Sequence, residues 1–164
     1  MNQLNLFKQI TTFVFDVDGV MTDGSLQLLE NGELSRCMNA RDGYALRHAV
    51  QQDYRMAIIT GGNSENVKKR LHGLGIQEVY LSVIDKKEKM EDFLLFNDLN
   101  KDNVLYMGDD MPDYEALEMV GLPCCPADAA EEIKTISKYI SPFYGGAGCV
   151  RDVVEKVLKL NDDW

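Results

Sequence analysis

Short apolar runs separated by amphipathic stretches recur along the chain. The first, Thr12-Phe13-Val14-Phe15, runs into Asp16, Asp18 and Gly19. Apolar runs closed by Asp or Gly read as buried parallel strands ending at turns. The pattern returns at Met56-Ala57-Ile58-Ile59 before Thr60-Gly61-Gly62, at Glu78-Val79-Tyr80-Leu81, and at Val104-Leu105-Tyr106-Met107 before Gly108-Asp109-Asp110. Shorter versions occur at Leu122-Pro123-Cys124-Cys125 and Tyr139-Ile140. Between the runs, apolar residues return at helical spacing. Leu46, Ala49 and Val50 mark one helix, with Asp42 as its N-cap. Val67, Leu71 and Leu74 mark a second, starting near Asn63-Ser64 and stopping at Gly73 and Gly75. Met90, Phe93 and Leu94 mark a third, capped by Asp85 with Glu88 at capping-box spacing. Pro112 opens a fourth that runs to about Met119, a fifth spans Ala129 to Ile136, and Val150, Val153, Val154, Val157 and Leu158 define the last. Residues 1–11 form a lead-in with a helical turn. Strands alternating with helices predict a three-layer, Rossmann-like α/β fold with a parallel sheet and right-handed crossovers.

One stretch departs from this rhythm. Two extended runs flank Glu30-Asn31-Gly32, and Asn-Gly is a strong hairpin signal. Residues 25–38 are therefore expected to form a β-hairpin flap beside the end of the first strand, shielding a site or pairing with another subunit. An excursion without a role is the plainer alternative. No segment is long enough for a separate cap domain, so residues 1–164 are expected to form a single domain.

Charge narrows the function. The formal net charge is −10, and such a surface repels nucleic-acid backbones and anionic membranes. No apolar run approaches the roughly 20 residues that span a bilayer. The N-terminus lacks the basic and apolar regions of an export signal, which makes the cytoplasm the expected location. Cys37, Cys124, Cys125 and Cys149 have no CxxC spacing and only two histidines accompany them, so reduced thiols are expected rather than a zinc site.

The candidate chemistry gathers at the strand ends. In doubly wound sheets, ligands bind beyond the carboxyl ends of the strands. That edge would carry Asp16 and Asp18, Thr60, Lys86, and Asp109, Asp110 and Asp113. Several carboxylates there stay ionised together only around a cation, and oxygen-only ligands favour Mg²⁺ over Zn²⁺. Thr60 with the Gly61 and Gly62 amides suits an anion, and Lys86 adds a positive charge at a helix start. Carboxylates, metal, lysine and hydroxyl together point to phosphoryl transfer.

Asp16-Val17-Asp18-Gly19-Val20, Thr60-Gly61, Lys86 and Gly108-Asp109-Asp110-Met111-Pro112-Asp113 resemble the four motifs of the haloacid dehalogenase superfamily of phosphatases, over nearly the whole chain. Thr22-Asp23-Gly24, Asn39-Ala40-Arg41-Asp42-Gly43 and the Gly145-Gly146-Ala147-Gly148-Cys149-Val150-Arg151 tail narrow the likeness to its capless 3-deoxy-D-manno-octulosonate 8-phosphate phosphatases of lipopolysaccharide synthesis. The resemblance implies that Asp16 attacks phosphorus to form an aspartyl phosphate. It makes Asp18 the acid and then the base. Mg²⁺ is then held by Asp16, the Asp18 carbonyl and Asp109, while Asp110 and Asp113 support the metal's ligands or position Lys86. Thr60, Gly61 and Lys86 hold the phosphoryl oxygens. A homotetramer is implied, with hairpins at its centre and a neighbour closing each site. The glycines at 145, 146 and 148 form either a mobile lid or a helix-entry turn.

Two departures bear on the substrate. The family often carries a basic residue where this chain has Gly62, and an Arg where it has Ala147. Arg41 and Arg151 remain as partners for a substrate carboxylate. The implied substrate is a phosphorylated sugar acid, with the eight-carbon acid expected over its nine-carbon relative. A non-catalytic oligomerisation module of the same fold is the competing reading, disfavoured because Asp18 is intact. A phosphoreceiver domain expects its acidic pair at the first strand, whereas Asp109-Asp110 lies late.

Overall fold

The computed structural model describes residues 2–164; Met1, the first residue of the expected lead-in, lies outside them. Six strands form one parallel sheet: β1 (Thr12–Phe15), β4 (Arg55–Ile59), β5 (Glu78–Tyr80), β6 (Val104–Met107), β7 (Leu122–Cys125) and β8 (Tyr139–Ile140). Their spatial order is β5-β4-β1-β6-β7-β8. Chain order reverses at β1, so the crevice beyond its end is the topological switch point.

Alternation along the strands sorts the core into two layers. Phe13 and Phe15 of β1, with Met56, Ile58, Leu105 and Met107, face one side and pack on α1 (Gln3–Lys8), α2 (Ala40–Gln51), α3 (Glu65–Gly73) and α7 (Cys149–Leu160). Val14, Ala57, Ile59 and Tyr106 face the other side, against α4 (Lys86–Phe96), α5 (Tyr114–Glu118) and α6 (Glu131–Ile136). Every residue of β1 and β6 is buried, which explains why both read as unbroken apolar runs.

Several local expectations are corrected. The N-cap of α2 is Asn39, whose side chain accepts from the amides of Arg41 and Asp42. Asp42 lies inside the first turn, buried, and accepts at 2.9 Å from the backbone N–H of Arg151 at the start of α7. The helix expected from Pro112 begins as a 3₁₀ turn, Met111–Asp113, before α5. The hairpin is present, but its strands are only β2 (Gln27–Leu28) and β3 (Leu34–Ser35), paired with each other alone. Asp85 does cap α4, accepting from Glu88, and the helix expected near Asn63-Ser64 is capped by Ser64, accepting from Val67. The glycine-rich tail forms a helix-entry turn: Gly148, at φ 114°, precedes α7. All four cysteines are free, with Cys37 exposed and the others buried.

Candidate active site

Backbone geometry at the end of β1 sets the site. Gly19 sits at φ +86°, a left-handed conformation that L side chains rarely adopt. A Cβ there would overlap the Asp109 carboxylate, so Gly19 is also the point where that side chain closes on the β1 loop. The C-terminal segment supports the loop from behind. The amide of Gly146 donates to the Val20 carbonyl at 3.0 Å, and the backbone of Gly145 lies against the carbonyls of Gly19 and Thr22.

Asp16, Asp109 and Asp113 bring carboxylate oxygens within 4.8 Å of one another. Lys86, the first residue of α4, reaches in to meet Asp16 at 2.8 Å and Asp113 at 2.7 Å. Asp113 is fully engaged. Its Oδ1 accepts from Lys86 and from the buried phenol of Tyr106 at 2.8 Å, and its Oδ2 accepts from the Asp109 amide at 3.2 Å. The Asp109 carboxylate forms no ion pair among the described residues.

Electrostatics follow from this crowding. Burial, then repulsion from Asp113, pushes the Asp16 carboxyl up to about 7 against the pull of Lys86. Burial and repulsion from Asp16 and Asp113 push Asp109 up to about 7 as well. Burial opposes the charge on Lys86, but attraction to Asp16 and Asp113 outweighs it and holds the ammonium above its usual range. One ammonium thus faces three carboxylates, which leaves uncompensated negative charge. An oxygen-only cluster of this kind fits a hard divalent cation such as Mg²⁺.

Thr60 is buried at the end of β4, and its hydroxyl accepts from the Gly62 amide at 3.1 Å. Asp18, two residues beyond Asp16, does not join the carboxylate cluster. Its side chain is forked by Arg36, with Nε on Oδ1 at 2.6 Å and Nη2 on Oδ2 at 3.0 Å. Arg36 follows β3, and no motif marked it; the signal was a lone basic residue ending the hairpin. Tyr106 was legible only as a core position. Asp110 stays at the surface and accepts from the Met111 amide.

Arg41 and Arg151 lie elsewhere. Both line a cavity of about 1010 Å³ between the hairpin's end, the glycine-rich tail and α7, and none of Asp16, Asp18, Lys86 or Asp109 lines it. Arg151 pairs with Glu155 at 2.9 Å and lies 5.3 Å from the Trp164 ring centroid. The chemistry belongs to the carboxylate cluster, which has the converging charges, rather than to this larger hollow.

A family profile described as haloacid dehalogenase-like hydrolase matches residues 72–150. The 3-deoxy-D-manno-octulosonate 8-phosphate phosphatase of Escherichia coli K12 is 36% identical over 151 residues, covering 92% of this chain and 80% of that protein. The crystal structure of the Yersinia pestis phosphatase of that name matches with a TM-score of 0.94 at 32% identity, over 98% of this chain and 86% of that one. The Moraxella catarrhalis phosphatase, in complex with magnesium ion, phosphate ion and a KDO molecule, matches with a TM-score of 0.92 at 30% identity, over 96% and 90% of the two chains. Fold and site thus define the class, a phosphomonoester hydrolase of the haloacid dehalogenase fold. Within that class, the chain belongs to the 3-deoxy-D-manno-octulosonate 8-phosphate phosphatase family.

Proposed function

We propose that this protein hydrolyses 3-deoxy-D-manno-octulosonate 8-phosphate to the free sugar acid and inorganic phosphate. The observation that carries the reading is the chain of contacts Asp16–Lys86–Asp113 at the sheet's switch point. It holds one carboxylate at the mouth of the site and steadies it with a buried cation. Mg²⁺ is the cofactor, held by the carboxylates of Asp16 and Asp109 and by the Asp18 carbonyl. When bound, it supplies the positive charge that lets a phosphate dianion approach this acidic corner.

In the first step an Asp16 carboxylate oxygen forms a bond to phosphorus while the bond from phosphorus to the sugar oxygen breaks. Asp18 gives its proton to that departing oxygen. A water then attacks the phosphorus of the aspartyl phosphate, Asp18 takes the proton, and the Asp16 carboxylate is released. Lys86, Thr60 and the Gly61 amide bind the phosphoryl oxygens as charge builds on them. Asp113 positions Lys86, since its own oxygens are already occupied. Asp110 holds the turn that presents Asp109. Arg41 and Arg151 serve the sugar acid from the cavity they line.

The same reading places the enzyme in the cytoplasm, in lipopolysaccharide precursor synthesis, as a single-domain subunit of a homotetramer. Leu26, Leu28, Leu29 and Leu34 stand exposed on the hairpin, which suits it to gather with its copies. Among the described residues no helix is long and apolar enough to cross a membrane. The test is a turnover panel in Mg²⁺ containing the eight- and nine-carbon keto-deoxy sugar acid phosphates and common hexose phosphates. The eight-carbon acid phosphate is expected to be the best substrate. A preference for the nine-carbon acid would move the assignment to that branch, and a preference for hexose phosphates would overturn it.

A further inference from the structure

Arg36 is the only cationic side chain that forms an ion pair with Asp18 among the described residues. It takes both carboxylate oxygens in a fork, and its side chain is 5% exposed. Glycine at residue 62 leaves the guanidinium room at close quarters. A Cβ at that position would come within 3.0 Å of Arg36 Nη2, 3.4 Å of Asp18 Oδ2 and 3.5 Å of Thr60 Oγ1. The guanidinium, Asp18 and the Thr60 hydroxyl therefore meet around the Cα of Gly62. A guanidinium has five N–H donors. Asp18 takes one from Nε and one from Nη2, and the Leu34 carbonyl takes one from Nη1 at 3.2 Å. The other two have no partner among the described residues.

We infer that Arg36 is a substrate-binding residue that selects for an anionic leaving group. The inference rests on the proposed role of Asp18. The residue that protonates the departing oxygen faces the leaving group, so a cation fixed to it faces the leaving group too. The unused N–H groups then donate to a carboxylate there, and the fork to Asp18 opens on one oxygen when Asp18 carries the proton it delivers. Acid selection then has a part that comes from the hairpin and acts beside the reacting bond, in addition to the cavity of Arg41 and Arg151.

The readout is a ratio: kcat/KM for the eight-carbon sugar acid phosphate divided by kcat/KM for glucose 6-phosphate, whose leaving group is also a sugar alkoxide that needs a proton but has no carboxylate. Arg36→Met slows both substrates because Asp18 loses its support. The inference expects the ratio to fall as well, by at least about tenfold, the worth of a charged hydrogen bond, with the extra loss in KM. Arg36→Lys keeps the charge but not the fork and restores part of the ratio. Gly62→Val displaces the guanidinium without removing it and lowers the ratio alone, but adds nothing to Arg36→Met. A ratio unchanged by Arg36→Met overturns the inference and leaves Arg36 as a support for Asp18. A wild-type enzyme that hydrolyses glucose 6-phosphate but shows no preference for the sugar acid overturns the substrate assignment, and this inference with it.

Discussion

The phenol of Tyr106 donates to the same Asp113 oxygen that Lys86 holds. Tyr106 lies on the strand next to β1 and is fully buried. Its ring is core and its hydroxyl belongs to the site, so a packing residue fixes the geometry of a buried ion pair. Tyr106→Phe keeps the ring and removes that bond. It is expected to lower stability by about 1–3 kcal/mol, as for an under-satisfied buried acceptor, and to lower kcat by loosening Lys86. Urea unfolding and steady-state kinetics on one preparation measure both.

Replacing the proposed nucleophile is a sharper test. Asp16→Asn removes the attacking oxygen's charge and half of the Lys86 clamp. Phosphate release is expected to fall by at least about 10³-fold, while circular dichroism keeps the spectrum of a folded protein. Residual turnover within tenfold of wild type would mean that Asp16 is not the group attacked.

Acidity couples the cluster to stability. Asp16 and Asp109 are each raised from 3.8 to about 7 in the folded, metal-free protein. The folded state therefore holds protons that the unfolded chain has already released near pH 4. By linkage, the metal-free protein loses stability as pH rises from about 4 to about 7. Mg²⁺ relieves the same repulsion, so it is expected to raise the melting temperature more at pH 8 than at pH 5. EDTA is expected to abolish turnover and excess Mg²⁺ to restore it. Scanning calorimetry at the two pH values, with and without the metal, checks the first claim.

Gly19 offers a steric counterpart. Gly19→Ala forces an L residue to φ +86° and drives its methyl into the Asp109 carboxylate. The variant is expected to bind Mg²⁺ at least tenfold more weakly and to lose stability by about 1–3 kcal/mol. Isothermal titration with Mg²⁺ reads the first effect and thermal unfolding the second.

Much of this was legible because the central strands are buried on both faces. Phe13, Val14 and Phe15 can only be a core strand, and the aspartates after them can only fall at its end. Asp85 was legible as a cap because its partner, Glu88, lies three residues away. Asp42 was not, since it caps the start of α7, 109 residues away in sequence, and yields its own helix to Asn39. The hairpin's register could not be read because neither of its faces is buried. Arg36 escaped for a different reason. Its partner, Asp18, lies 18 residues away in sequence, and no short-range spacing marks that pair.

The grip of Gly145 and Gly146 on the loop after β1 also bears on biosynthesis. The ribosome makes Asp16 more than a hundred residues before the segment that braces its loop. Over that interval the nascent chain carries Asp16 on an unbraced loop. The loop is expected to reach its final shape only when Gly145 and Gly146 have docked on it.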